Sequence, residues 1–286
     1  MIKLVLSDMD GTLVPFGRNH VSQRAVEAIH ELRRAGIQFG PASGREPVDL
    51  LRLFSGDATC FATGIMANGK MVDVDGRRIK TVHLENSALR RLEDYAFEDP
   101  DCVLMVYVPR TDREGNASTD VMFTGIGAAE VDEYCERAGL PLSGVTAGKV
   151  PDVRITSAGF MCLDLDRFDT VRSQIEVLCP ELDFARPAPT FLDVLPHGWT
   201  KASALPLLEE ELDIGRDEIA FFGDSENDVA MLKAVPNSFA VSSGSSVAQE
   251  AARHRIGDAS EDSVAAVFEA IARTGGEIRV PEEAQA

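Results

Sequence analysis

Hydrophobic positions follow two rhythms along the chain, and their order predicts the architecture. Residues 2–6, aliphatic but for Lys3, run without alternation, the pattern of a strand buried on both faces of a parallel sheet. Ser22 is a good N-cap for a helix that carries Val26, Ile29 and Leu32 on one face and stops at Gly36. A short strand over 37–42, a loop at Ser43-Gly44-Arg45 and a helix with Leu50, Leu51 and Phe54 complete a βαβα series. Pro41 has no N–H for a central ladder, so that strand is expected to end at Gly40. Two extended runs within 60–82 flank Asp73-Val74-Asp75-Gly76, which reads as a hairpin.

From about Thr81 to Pro189 the rhythm changes. A helix over 86–96, extended runs over 103–108 and 121–124, a helix over 128–138 and a further strand, helix and strand suggest an α+β insert with no glycine-rich phosphate loop. Pro187-Ala188-Pro189 is a plausible rigid exit. The βα rhythm is then expected to resume with a strand over 191–195, a helix from Thr200, strands over 219–222 and 238–241, and a helix over 228–234 between them. Pro206 removes a bond to the Ala202 carbonyl, so the helix after Lys201 is short, kinked or starts late. A last amphipathic helix carries Val264, Val267, Phe268 and Ile271, and the tail after Arg279 is expected to fray. The fold class is therefore α/β: a Rossmann-like doubly wound parallel-sheet core over 1–82 and 189–286, with an inserted α+β domain over 83–188.

The 286 residues are 44% hydrophobic and 26% charged, an ordinary globular composition that excludes disorder, collagen and coiled coil. Lys+Arg 28 against Asp+Glu 47 leaves a net charge of −19, which repels phosphate backbones and anionic lipid. Nucleic acid and membrane are not expected partners, and an anionic substrate would need a local cation acting within a Debye length of about 8 Å. The five cysteines form no CxxC and sit mostly in apolar runs, so reduced core thiols are expected. No run approaches a membrane span or a signal h-region, and the chain is expected to be cytoplasmic, its oligomeric state open.

The chemistry concentrates where strands end. Asp8-Met9-Asp10-Gly11-Thr12 directly follows the first strand, so its carboxylates project at the carboxyl end, where open α/β sheets bind ligands. Asp8 and Asp10, two residues apart on one side, repel each other unless a shared proton or a cation intervenes. Mg2+, a hard cation for oxygen ligands, is the natural answer.

Asp8-Met9-Asp10-Gly11-Thr12-Leu13 resembles motif I of the haloacid dehalogenase-like superfamily of phosphotransferases. Ser43-Gly44-Arg45 resembles motif II, Lys201 after Gly198-Trp199-Thr200 resembles motif III, and Gly223-Asp224-Ser225-Glu226-Asn227-Asp228 resembles motif IV. Asn68-Gly69 and Phe191-Leu192-Asp193-Val194 resemble the Cof-like branch, and an insert between motifs II and III is a type 2 cap. The likeness covers nearly the whole chain, more loosely in the insert. It implies a phosphatase of a small phosphorylated metabolite, with sugar phosphates leading. Asp8 would be the nucleophile and Asp10 the acid and base. Ser43, Gly44, Lys201 and Asn227 would bind phosphate. Mg2+ would be held by Asp8, Asp10 through its backbone carbonyl, Asp224 and Asp228. Asp224 and Asp228, four apart where a loop enters a helix, can both be aimed at the metal by one turn. A phosphohexomutase of the same cap class and a non-catalytic phosphometabolite-binding regulator remain as alternatives, though binding alone does not need Asp10.

Other residues are read more plainly. Thr12 orients the loop or Asp10, or stabilises the turn. Arg45 reaches phosphate or the insert, or forms a structural ion pair. His197 and Trp199 flank motif III, where substrate could pass, but read first as a surface histidine and a packed aromatic. Arg110, Arg113, Arg154 and Arg186 read as solvated charges that could meet an anionic substrate tail.

Overall fold

The computed structural model describes residues 1–111, 117–140 and 145–286. In chain order the elements are β1 (Leu4–Ser7), α1 (Gln23–Arg34), β2 (Gln38–Pro41), α2 (Pro47–Leu53), β3 (Gly64–Met66), β4 (Met71–Val74), β5 (Arg77–Thr81), α3 (Asn86–Phe97), β6 (Cys102–Thr111), β7 (Ala117–Thr124), α4 (Val131–Ala138) and β8 (Val145–Gly148). They continue with β9 (Ser157–Cys162), α5 (Phe168–Leu178), β10 (Leu182–Ala188), β11 (Phe191–Pro196), α6 (Leu205–Leu212), β12 (Ile219–Gly223), α7 (Val229–Ala234), β13 (Asn237–Val241), α8 (Ser246–Ala251), β14 (His254–Ile256) and α9 (Ser263–Thr274). The chain divides into two compact units, Met1–Thr81 with Thr200–Ala286, and Val82–Trp199.

The first unit is built on a parallel five-stranded sheet in the order β14-β13-β12-β1-β2. Val5 of β1 faces one layer, with Ile29 and Leu32 of α1 and Phe268 and Ile271 of α9, while Leu4 and Leu6 face Leu205 and Leu208 of α6 and Met231 and Leu232 of α7. Both faces are covered, which is why β1 reads as an uninterrupted aliphatic run. Phe222 stacks on Phe239 at 4.5 Å and meets Phe268 edge-on at 5.1 Å, tying two strands to the last helix. The chain leaves β1 toward β2 on one side and returns through β12 on the other, so the sheet reverses its winding there and opens a crevice at the strands' carboxyl ends. A smaller antiparallel sheet, β3-β4-β5, turns at Asp75 and Gly76, both at positive φ, as the hairpin signal requires.

The second unit packs helices on a six-stranded sheet in the order β10-β11-β9-β6-β7-β8. Its pairs are antiparallel except β7 with β8. Leu104, Val106 and Phe160 meet α3 and α5, whereas Val103, Met105 and Phe123 meet α4, so the alternation along β6 divides the core between two faces.

Three expectations change and one holds. β11 does not reopen the parallel core: it pairs antiparallel with β10 and β9, so the compact units meet at 199–200 rather than at 189. Pro41 stays inside β2, an edge strand whose outer side needs no ladder donor. The helix after Lys201 does start late, as expected from Pro206: a 3-10 turn over Lys201–Ala204 precedes α6, and Pro206 falls in the first turn of α6, where its missing N–H costs nothing. The tail is docked rather than frayed: Ala284 is fully buried, its carbonyl accepts from the Gly257 N–H at 2.9 Å, and Gln285 bridges Ile256. Removal of residues 281–286 should therefore lower the unfolding free energy by about 1–2 kcal/mol, read from urea midpoints; an unchanged midpoint would mean that the tail contributes nothing.

Candidate active site

The parallel register brings the acidic motifs together. Ser7 of β1 stands beside Phe222 of β12, and the Asp8 N–H donates to the Phe222 carbonyl at 2.8 Å, so Asp8 and Asp224 leave adjacent strands at the same end. After Asp8 the chain reverses through a tight loop, with Gly11 N–H to the Val14 carbonyl at 2.8 Å and Val14 N–H to the Met9 carbonyl at 2.7 Å. Gly11 has φ +86° and a Cβ there would stand 2.5 Å from Asp224 Oδ2, so both conformation and space require glycine.

Lys201 occupies the centre. Its turn is held by reciprocal bonds, Ser203 N–H to the Thr200 carbonyl at 3.0 Å and Thr200 N–H to Ser203 Oγ at 3.0 Å. The fully buried Lys201 ammonium donates to Asp8 Oδ1 at 2.6 Å and to Asp228 Oδ1 at 2.7 Å. Asp228 turns its other oxygen to the loop, accepting from the Asp224 N–H at 3.1 Å and the Ser225 N–H at 3.2 Å. Asp224 Oδ1 accepts from the Thr12 hydroxyl at 2.9 Å, and its carbonyl accepts from the Ser245 N–H at 2.8 Å and hydroxyl at 3.0 Å. Asp8 and Asp228 thus share Lys201, while Asp224 is fixed from the loop after β1.

Three buried carboxylates around one ammonium are electrostatically unbalanced. Burial pushes the Asp8 carboxyl well above the usual range; Lys201 pulls it back, and the Asp228 and Asp224 charges push it further up. Burial, with Asp228 nearby, likewise pushes Asp224 up to about 6. Burial alone would lower the Lys201 pKa, but Asp228 and Asp8 outweigh it and raise it. One oxygen each from Asp8, Asp224 and Asp228 lies within 4.8 Å of the others. An all-oxygen, anionic donor set with an unbalanced charge suits a hard divalent cation such as Mg2+.

Around this cluster, Asp10 takes a different partner. Arg45 grips it as a fork, Nε to Oδ2 at 2.6 Å and Nη2 to Oδ1 at 2.7 Å, with both side chains partly exposed. Arg45 thus forms an ion pair on the motif I loop. Ser43 is buried; its N–H donates to the Ile65 carbonyl at 2.8 Å and its hydroxyl accepts from the Arg45 N–H at 3.2 Å, which shapes the Gly44 turn. Asn227 Oδ1 accepts from the Ser225 hydroxyl at 2.6 Å, so that contact is internal to its own turn. Thr12 bonds Asp224 rather than Asp10.

Sequence reasoning missed Ser245 and Gly244. A Cβ at Gly244 would lie 2.8 Å from the Asp224 carbonyl oxygen, and the available signal was the Gly-Ser-Ser run between a strand and a serine-capped helix. In the second unit Arg110 pairs with Asp120 at 2.6 Å, Arg186 lies over the Phe168 ring at 4.0 Å and pairs with Asp169 at 3.3 Å, and Arg154 is exposed. Arg113 lies outside the described residues. His197 is exposed and stands 2.9 Å from Asp183.

A family model described as haloacid dehalogenase-like hydrolase matches residues 5–268, and the chain belongs to that family of enzymes. It is 28% identical over 244 residues to a Yersinia pseudotuberculosis protein named HMP-PP phosphatase, covering 82% of each chain. It is 22% identical over 269 residues to a Haemophilus influenzae putative phosphatase, covering 94% of this chain and 98% of that one. Its fold matches a solved phosphatase of the superfamily from Bacteroides thetaiotaomicron, with a TM-score of 0.76, 24% identity and 96% of each chain covered. It also matches a sugar phosphatase of subclass IIB, with a TM-score of 0.73, 18% identity, and 96% and 99% covered.

Because Lys201 is the buried cation shared by two carboxylates, Lys201→Met should destabilise the metal-free protein by about 3–5 kcal/mol, the cost of leaving buried charge unpaired. Chemical unfolding in a chelating buffer reads this, and a loss below about 1 kcal/mol would mean that the pairs behave as surface pairs.

Proposed function

We propose that the protein is a Mg2+-dependent phosphomonoester hydrolase that acts through an aspartyl-phosphate. The observation that carries this reading is the Asp8 carboxylate at the end of β1, buried against Lys201 and beside Asp224 and Asp228, with the second motif carboxylate, Asp10, held separately by Arg45. The family assignment and the phosphatase names of its relatives support the reaction class.

A phosphate dianion repels an incoming nucleophile, so the site must neutralise charge and align the attack. Asp8, Asp224, Asp228 and the Asp10 carbonyl would hold Mg2+, which would supply positive charge to the phosphoryl oxygens and to the attacking carboxylate. Asp8 forms a bond to phosphorus as the ester oxygen leaves, and Asp10 protonates that oxygen. Asp10 then takes a proton from water, the water oxygen attacks the acyl phosphate, and inorganic phosphate departs with Asp8 restored. Ser43, the Gly44 N–H, Lys201 and Asn227 hold the transferring oxygens. The Arg45 fork occupies both Asp10 oxygens, so acid catalysis needs that pair to open, and an entering phosphate is the natural competitor for the guanidinium.

The unit Val82–Trp199 serves in this reading as the specificity cap, and the substrate is a small phosphorylated metabolite, sugar phosphates first. The test is phosphate release from a panel of sugar phosphates, nucleotides, pyridoxal phosphate and HMP-PP. Release should require Mg2+ and vanish in Asp8→Asn. Asp10→Ala should lower kcat by about 10²–10⁴-fold while Mg2+-dependent ligand binding persists. Binding without turnover of any ester by the wild type would replace the phosphatase with a binder or a mutase.

A further inference from the structure

A second cluster of metal-ligating side chains lies in the first unit, away from the carboxylates: His30 on α1, and Asp57 and Cys60 on the turn that leads into β3. His30 Nε2 stands 3.0 Å from Asp57 Oδ2, and the Cys60 thiol donates to the same oxygen at 3.5 Å. One ligand atom from each lies within 4.8 Å of the other two. Zn2+ with bonds of about 2.0–2.3 Å to nitrogen, oxygen and sulfur sets tetrahedral ligand–ligand edges of roughly 3.3–3.7 Å. The two distances therefore lie close to tetrahedral edges before any adjustment.

The surroundings favour that use. Asp57 Oδ1 is already committed, accepting from the Thr59 N–H at 3.0 Å and the Thr59 hydroxyl at 2.6 Å, which fixes the carboxylate and leaves Oδ2 as the oxygen that faces both partners. Cys60 is fully buried while His30 and Asp57 are about a third exposed, so the sulfur anchors the site from below and a fourth position is open to solvent. Burial and the neighbouring Asp57 carboxylate push the Cys60 thiol up to about 12, with Arg33 pulling weakly the other way, so it is the metal's own charge that must displace the thiol proton. Thiolate, carboxylate, neutral imidazole and Zn2+ sum to zero, the charge that a half-buried position tolerates best. A nitrogen, oxygen and sulfur donor set selects a borderline-soft ion, unlike the all-oxygen cluster at the carboxyl ends of the strands.

We propose that His30, Asp57 and Cys60 form a three-ligand Zn2+ site, completed by solvent, which fastens α1 to the turn before β3. On uptake the Cys60 thiol proton leaves to solvent, sulfur bonds the metal, and His30 presents Nε2 without a proton. The site is structural and does not depend on the proposed phosphatase reaction.

The full-length protein, stripped of metal and held in excess Mg2+ so that the carboxylate cluster is occupied, is titrated with Co2+. A thiolate-to-metal charge-transfer absorption should grow to one equivalent, and Zn2+ should abolish it and raise the melting temperature. Cys60→Ser should lose the absorption, and His30→Gln and Asp57→Asn should each weaken Co2+ binding at least tenfold. No absorption in the wild type, or an absorption retained in Cys60→Ser, overturns the proposal. Should Cys60→Ser fail to fold, the two exposed-ligand variants decide, and unchanged affinity in both overturns it.

Discussion

The buried ammonium of Lys201 is the constraint on which the site depends. Removing a charge from water costs several kcal/mol, and three carboxylates and one ammonium stand together at the ends of β1 and β12 with almost no solvent exposure. One cation cannot balance three anions, so the fold supplies the rest as oriented dipoles. Two loop N–H groups face Asp228, the Thr12 hydroxyl faces Asp224, and Ser245 holds the Asp224 backbone. Glycines stand at 11, 223 and 244 because a Cβ at any of them would press on the same carboxylates or their backbone. Local sequence, loop geometry and electrostatics therefore impose the same demand at one place.

Much of this was legible because the constraints are local. An aliphatic run without alternation has one economical explanation, a strand covered on both faces, and Leu4 and Leu6 on one side with Val5 on the other fulfil it. Acidic residues immediately after such strands must emerge at the carboxyl ends. The features that escaped depend on partners far along the chain. Phe191–Pro196 is a short, mostly apolar run that suits a strand of either sheet, and only pairing with β9 and β10 assigns it to the second unit. Thr12 finds its acceptor 212 residues away, and Asp10 its guanidinium 35 residues away. The tail reads as polar and frayed because its anchors, the buried Ala284 and the Gln285 bridge to Ile256, depend on partners far along the chain.

The same distinction separates the two clusters that could hold a metal. The carboxylates follow from strand order and a contiguous motif, whereas His30, Asp57 and Cys60 come from a helix and a turn with no shared spacing rule. Only folding brings α1 against the loop that caps itself with Asp57, and the 3-10 turn there aims the buried sulfur at the capping carboxylate.

Asp8 and Asp10 sit two residues apart and meet opposite conditions. Asp8 is nearly inaccessible and shares its counter-ion with another carboxylate, whereas Asp10 is half exposed and gripped by a guanidinium of its own. When two like groups are given environments this different, they are equipped for different chemistry. The charge arithmetic points the same way. Asp8, Asp224, Asp228 and Lys201 sum formally to −2, and the Asp10–Arg45 pair to zero, in a chain whose total is −19. A divalent cation brings the inner cluster to neutrality. In the proposed reaction only then would a phosphate dianion approach without meeting net repulsion, and Arg45, at the exposed margin, would act on it within the Debye length of about 8 Å beyond which salt screens its charge. In the proposed reaction, metal uptake is therefore a condition of substrate binding as well as of catalysis.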